Sequence, residues 1–340
     1  MLAAEMERDQ GVLRIAPGTE CQEISVGANV TALAFGAGTV YAGLGDGRVV
    51  AIHTRALRDL ARHQGAVTAL CVDGGSVVSA GQDGRVLRLN EAEPIDITTP
   101  KPDWITHVSH SQDGKRVLVV AGKRVEVVED GQVIARIDDF PSTVSGAQFY
   151  NAGKSVAISH YNGISLWEIE RFAKPEVLAW AGSVTGVSVS PDGRYVAGTT
   201  QDREVHVWDF VTGKDFRLGG YQRKVKAVGW TTDKPYLYST GADVLVAWSL
   251  AAEPGTIPPQ EIGYAFSETV SAIIPHCDSR AMPAGFTSGS ILLGEAEKAT
   301  AKIIRAPSGA AITALAPAAD DSFCFGTADG KVGLFRVNTA

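Results

Sequence analysis

Cysteine is scarce and dispersed. The chain of 340 residues has four, Cys21, Cys71, Cys277 and Cys324, with no CxxC pair among them, so neither a disulfide framework nor a zinc knuckle is written into it. Cys71 and Cys324 lie inside apolar, strand-like runs, where a free thiol behaves as a small buried hydrophobe. No continuous apolar run approaches the roughly 18 residues of a membrane span. The N-terminal stretch Met1–Gln10 carries acidic residues where a signal peptide has a basic start. A cytoplasmic protein without a membrane segment is the expectation. A basic excess is also missing: the formal net charge is −7, so nucleic acid is not the expected partner. With 45% hydrophobic and 20% charged residues, the composition excludes a disordered chain. There is no P-loop, HExxH, GxSxG or dinucleotide fingerprint, and isolated Asp-Gly pairs do not supply the oxygen ligands of a calcium loop. No cofactor and no metal are expected.

What is present is a repeat. An apolar run such as Val30–Phe35 is followed by a short polar turn, a second apolar run, a turn often carrying Asp-Gly, and a third apolar run. Eight copies are counted: Val30–Ile52, Val67–Leu89, Ile105–Val128, Val144–Trp167, Val184–Trp208, Val225–Trp248, Val270–Leu293 (the weakest) and Ile312–Phe335. The second residue of each first run, Thr31, Thr68, Thr106, Ser145, Thr185, Lys226, Ser271 and Thr313, recurs at about 40-residue intervals, the period of four-stranded propeller blades. The runs are short and rich in Val, Ile, Thr and aromatics, which favours strand over helix. Asp-Gly turns accept the positive φ of tight hairpins. More polar segments between copies, such as Ala56–Leu60, Val133–Ile137 and Asp215–Leu218, supply a fourth strand.

A lone meander leaves both faces wet, whereas a ring of stacked sheets buries both and protects the edges. The reading is therefore an all-β chain forming a single β-propeller of four-stranded antiparallel blades, eight by count with seven as the alternative. It spans residues 1–340, with 1–19 as an N-terminal extension and 20–340 as the blades. The eighth copy has five residues after Phe335, too few for its outer strand, and Cys21–Val26 is expected to supply that strand and close the ring.

The fifth copy resembles a WD repeat: Ser190-Pro191-Asp192-Gly193 stands between the first two strands, Asp202 in the next turn, and Trp208-Asp209 closes the third. In the second copy His63 stands four residues before Val67, like the histidine of that family's Gly-His signature, with Ser79 and Asp83 at its serine and turn-aspartate positions. Only the fifth copy ends in Trp-Asp, the second has Leu89 for tryptophan and Arg62 for the signature glycine, and the fifth lacks the histidine. Such divergence is expected of a bacterial-type, stand-alone member. The resemblance implies a buried structural network of His63, Ser79 and Asp83, with Asp202 and Trp208 at the family's network positions in the fifth copy. It argues against a catalytic triad, since a nucleophile also needs an exposed serine and an oxyanion hole.

Trp104, Trp180, Tyr221 and Phe266 lie in or beside the connections leading into first strands. Arg223 lies there too, and Arg203 in a turn on the same rim. Aromatics and arginine are the residue types enriched at interface hot spots, which makes these six the candidate partner-binding residues. The basic run Arg223-Lys224-Val225-Lys226 is a candidate contact for an acidic partner or a phosphate, with a solvated loop as the plainer reading. The compact His276-Cys277-Asp278 is not expected to hold a metal, because three adjacent residues do not readily face one tetrahedral ion. The resemblance implies a non-catalytic scaffold, monomeric by itself, that binds protein partners through one face. A small-molecule or enzymatic site at the central channel mouth is the second hypothesis, and an RNA-associated scaffold the third.

Overall fold

The computed structural model describes residues 20–73, 75–90, 93–138, 140–171, 175–263, 268–319 and 322–336. Every regular element among them is a strand, and the strands pair antiparallel in sequence order within each repeat. From the seventh repeat through the eighth and first to the fifth, first strands contact one another in turn, so the first strand is innermost. The sixth repeat is tied to its neighbours by Trp230 and by the pairing of Val228–Thr231 with His276–Cys277, and the sheets close into a single β-propeller.

The β-branched residues explain the burial. In Ser76–Gly81 and Val86–Leu89 nearly every side chain is buried, because each central strand has a neighbouring sheet on either face. The clusters that hold the ring together are correspondingly shared between repeats. Val78, Ala80 and Val86 of the second meet Ile105, Val117 and Val119 of the third, and Tyr195, Val205 and Val207 of the fifth meet Trp230, Leu237 and Trp248 of the sixth. Trp230 is wholly buried, and its Nε1 donates to Ser188 Oγ of the fifth repeat at 2.8 Å.

The expectation of eight separate blades is corrected. The strands form seven hydrogen-bonded sheets, because the fourth and fifth repeats share one six-stranded sheet. The physical reason is a missing loop. The outer strand of the fourth repeat runs straight into the inner strand of the fifth as one 14-residue strand, Glu176–Val189, and Tyr161 pairs with Ser183 across the join. The sixth repeat gains a fifth strand: His276–Cys277 pairs parallel with the inner strand Val228–Thr231, placing Trp230 opposite His276.

Closure follows the expected route. Glu20–Ser25 pairs antiparallel with Lys331–Arg336 over six residue pairs, Glu20 opposite Arg336 through Ser25 opposite Lys331. Val26 N–H then donates to Gly330 O at 2.8 Å. Glu23 adds a cross-link, accepting from Arg305 Nε of the seventh repeat at 2.9 Å, with the arginine side chain buried. Without this strand the eighth repeat loses its outer edge and the first and last repeats lose their covalent tie. Deletion of residues 1–28 is expected to abolish the cooperative melting transition followed by circular dichroism. A truncated chain that melts like the parent refutes this closure.

Candidate protein-interaction face

Alternating strand direction puts the connections into first strands and the turns between second and third strands on one rim. The backbone ties the two together. His63, Lys101 and Phe140 donate their N–H groups to Gly47, Gly84 and Lys123 in the turn of the preceding repeat, at 2.9, 2.9 and 3.5 Å. Ser308 donates likewise to Ser288 at 3.0 Å.

These anchored residues share an offset, four positions before the first residue of the repeat, and each repeat solves that position with different chemistry. In the second, His63 Nδ1 lies 2.9 Å from Asp83 Oδ1 and its Nε2 3.0 Å from Ser79 Oγ. In the third, the buried Lys101 ammonium sits 2.8 Å from Glu126 Oε2, close enough for an ion pair although not aligned as a hydrogen bond, while Arg136 pairs with the other carboxylate oxygen at 2.9 Å. In the fourth, the Phe140 ring packs at a 37° tilt against His160, centroids 5.4 Å apart. In the sixth, Tyr221 Oη contacts Ser239 Oγ at 2.6 Å and accepts from Trp248 Nε1 at 2.9 Å.

Two candidate contact residues are corrected by this geometry. Tyr221 is only 7% exposed, and its hydroxyl is occupied inside the sheet. Trp180 is half-buried between repeats, 4.3 Å from the His206 ring with the Arg217 guanidinium 4.5 Å over its face. Both stand at the offset that His63 occupies in the second repeat. Counting four residues back from Val184 and Val225, as was done from Val67, finds this role in the sequence. Phe266 has the same offset but lies outside the described residues.

The fifth repeat does not bring Asp202 and Trp208 together. Gly198 stands where the second repeat has Ser79, so no hydroxyl is available to link them. Asp202 is exposed, with its N–H donated to Thr200 Oγ1 at 3.2 Å. Trp208 is buried, edge-on to His206 at 4.4 Å. The neighbouring Asp209 has the defined role: it accepts from Arg194 Nη2 at 2.8 Å and Nε at 3.2 Å and from Val211 N–H at 2.8 Å. The Arg194 guanidinium holds the Asp209 carboxyl down at about 2, against the opposing effect of burial.

His276, Cys277 and Asp278 diverge. The His276 ring turns to the Val189 carbonyl, the Cys277 thiol donates to Tyr238 Oη at 3.0 Å, and Asp278 accepts from Arg280 N–H at 2.6 Å. Burial pushes the Cys277 thiol up to about 12, which makes it a poor thiolate ligand.

What remains open on the rim is Trp104, 59% exposed, with the exposed side chains of Arg203 and Arg223. Tyr161, 49% exposed in the second-to-third-strand turn of the fourth repeat, joins them. Tyr161 stands among Ser159, His160, Asn162 and Gly163 in a turn between second and third strands, away from the connections into first strands where the aromatic candidates are expected. At the opposite mouth the ends of first strands enclose a cavity of about 870 Å³, lined among others by Gln112, Gln148, Tyr150, Asp192, Thr232 and His276. Among the described residues no helix is long and apolar enough to cross a membrane, and no group of three or more His, Cys, Asp or Glu side chains has metal-binding geometry.

Two outcomes follow from these contacts. Tyr221→Phe removes the hydroxyl shared by Ser239 and Trp248 and leaves their buried polar groups unpaired, so it should cost about 1–3 kcal/mol in denaturant unfolding. An unchanged midpoint refutes the network. Asp209 has a depressed carboxyl in the folded state, so its contribution is present above the ordinary carboxylate range and disappears as pH falls through about 2. Asp209→Asn should therefore melt below the parent at neutral pH, and the gap between the two melting temperatures should close between about pH 4 and pH 2. A gap independent of pH contradicts the assignment.

A model of the WD domain, G-beta repeat, matches residues 176–209, which is the strand Glu176–Val189 and the two strands after it. The chain is similar to WD repeat-containing protein 1-B of Xenopus laevis, 22% identical over 57% of this chain and 33% of that protein. It is also similar to p21-activated protein kinase-interacting protein 1-like of Gallus gallus, 22% identical over 42% of this chain and 41% of that protein. The matched stretches thus span well under half the length of these relatives. Among solved structures, the computationally designed Ika8 protein superposes with a TM-score of 0.74 at 23% identity, over 92% of this chain and 98% of that one, a likeness of fold. With its repeat period, its closed ring of antiparallel sheets and the His63–Ser79–Asp83 network, the chain is a β-propeller that carries a WD-type repeat at residues 176–209 and is similar to WD-repeat proteins.

Proposed function

We propose that this propeller is a non-catalytic, cytoplasmic scaffold that binds a protein partner on the rim carrying Trp104, Tyr161, Arg203 and Arg223. The observation that carries this reading is Trp104. A tryptophan 59% exposed at the end of an otherwise tightly anchored connection leaves apolar area in water on the same rim as the exposed Arg203 and Arg223. Such a rigid aromatic is the residue type that dominates interface energies when a partner covers it. Relatives carrying the same repeats point the same way in general terms, one being named for its interaction with a kinase. The likeness is of fold and family, so the particular partner rests on this rim.

A second reading is favoured by the cavity of about 870 Å³ at the opposite mouth, which has the size of a small-molecule site. The two readings separate in one experiment. Tagged parent, Trp104→Ala and Tyr150→Ala proteins are used to recover partners from the native cell. Trp104→Ala should lower recovery of a stoichiometric partner at least about tenfold with an unchanged melting temperature, as expected of a hot-spot residue, while Tyr150→Ala retains it. Equal recovery by the parent and Trp104→Ala overturns the rim as the binding face. Loss with Tyr150→Ala alone moves the site to the cavity.

A further inference from the structure

Two residues break the repeat's own pattern in the same sector, and both bring in a positive charge. Arg203 stands in the turn after the second strand at φ +58. The first, second and eighth repeats place Gly47, Gly84 and Gly330 at that position after their aspartates, all at positive φ. A side chain with a Cβ is strained there, and such strain persists where function keeps it. Lys226 is the second departure. Its equivalents are hydroxyl residues in all seven other repeats. In six of these the residue bulges out of the inner strand and its hydroxyl donates back to the second strand, as Thr31 does to Gly43 O at 2.9 Å and Thr313 to Gly326 O at 3.1 Å. In the sixth repeat the hydroxyl has moved to the facing strand: Thr240 Oγ1 accepts from Lys226 N–H at 2.9 Å and Ala227 N–H at 3.0 Å. The exchange keeps the backbone satisfied and frees the Lys226 side chain at the channel mouth, where it is exposed.

The two segments are joined directly. Arg203 Nη1 donates to Gln222 O at 3.4 Å, and Lys224 Nζ donates to Gln201 Oε1 at 2.9 Å. Both acceptors are neutral. Among the described residues none of Arg203, Arg223, Lys224 and Lys226 makes an ion pair, although Asp202, Glu204 and Asp243 lie in the same turns. Arg48, Arg85, Arg116, Arg124 and Arg194 elsewhere each have a carboxylate. A chain of net charge −7 thus keeps four cations without an ion pair together in one sector of the rim.

We infer that this sector, Arg203 with Arg223, Lys224 and Lys226, receives the carboxylates of an acidic peptide segment of the partner, with Lys226 meeting it at the mouth of the channel. The inference rests on the rim being the partner face. A protein segment fits better than nucleic acid, because the charge beyond this sector is negative and repels an extended phosphate backbone.

The test uses reversions to the repeat's own residues. Arg203→Gly with Lys226→Thr relieves the strained turn and restores the hydroxyl, so the double variant should melt at or above the parent temperature. Fluorescein-labelled decaglutamate is titrated into the purified full chain and followed by anisotropy. The double variant should bind about tenfold more weakly or worse, and parent binding should fall steeply between about 50 and 200 mM salt. Arg223→Gln, an exposed position whose backbone bonds are untouched, should weaken binding about threefold and serves if the double variant misfolds. Binding of decaglutamate by the double variant within about twofold of the parent overturns the inference. So does tighter parent binding of a decauridylate of the same label, which would assign the sector to RNA. Recovery of partners from the native cell separates this claim from the broader one. A partner lost by Trp104→Ala but fully kept by the double variant leaves the rim as the binding face and overturns the acidic segment.

Discussion

Every other feature depends on the pairing of Glu20–Ser25 with Lys331–Arg336. Each sheet is stable only because a neighbour covers each of its faces, so the covering has to come round to its starting point. An open arc would leave two apolar faces in water, and at about 25 cal/mol per Å² that exposure would exceed the small net stability of a folded domain. Joining the first and last repeats within one sheet makes opening of the ring require the loss of a full strand ladder. The buried Arg305 of the seventh repeat, bonded to Glu23, ties a third participant to the same seam.

With the ring closed, the rim connections become the adjustable part. In the first four repeats and the eighth their backbones are bonded to the preceding turns, but the side chain four positions before each inner strand is free to differ. The chain uses imidazole, ammonium, phenyl, indole and phenol at that site. Each choice demands its own partner, Asp83 for His63, Glu126 for Lys101, Ser239 and Trp248 for Tyr221, because a buried polar group left alone costs more than its bond contributes. The repeats therefore differ from one another in partnered sets of residues rather than singly. The same pairing logic frees Lys226: once Thr240 takes over the hydroxyl's duty, the inner position is released from structural work.

Function on such a frame lies in what the frame does not consume. Aromatics at the anchored offset are consumed by the join between sheets, as Trp180 and Tyr221 are. Trp104, one residue before its inner strand, is not. The distinction is one of three positions along a connection, and it separates side chains aimed between sheets from one that faces water.

The sequence by itself determined the period, the strand character of the runs, the closing role of the N-terminal segment and the His63–Ser79–Asp83 constellation. All of these follow from local patterns of apolar residues, turn residues and fixed offsets. Only the tertiary structure decided that the fourth and fifth repeats share one sheet, since that depends on whether Glu176–Val189 bends or runs on. It also decided that His276–Cys277 adds a strand to the repeat before it, that Tyr221 is buried and Trp180 half-buried, and that Arg203 and Lys224 bond neutral acceptors in each other's segment. Those outcomes turn on which side chains from distant segments face each other across a gap of a few ångströms. No run of consecutive residues encodes that, because it exists only when the circle is complete.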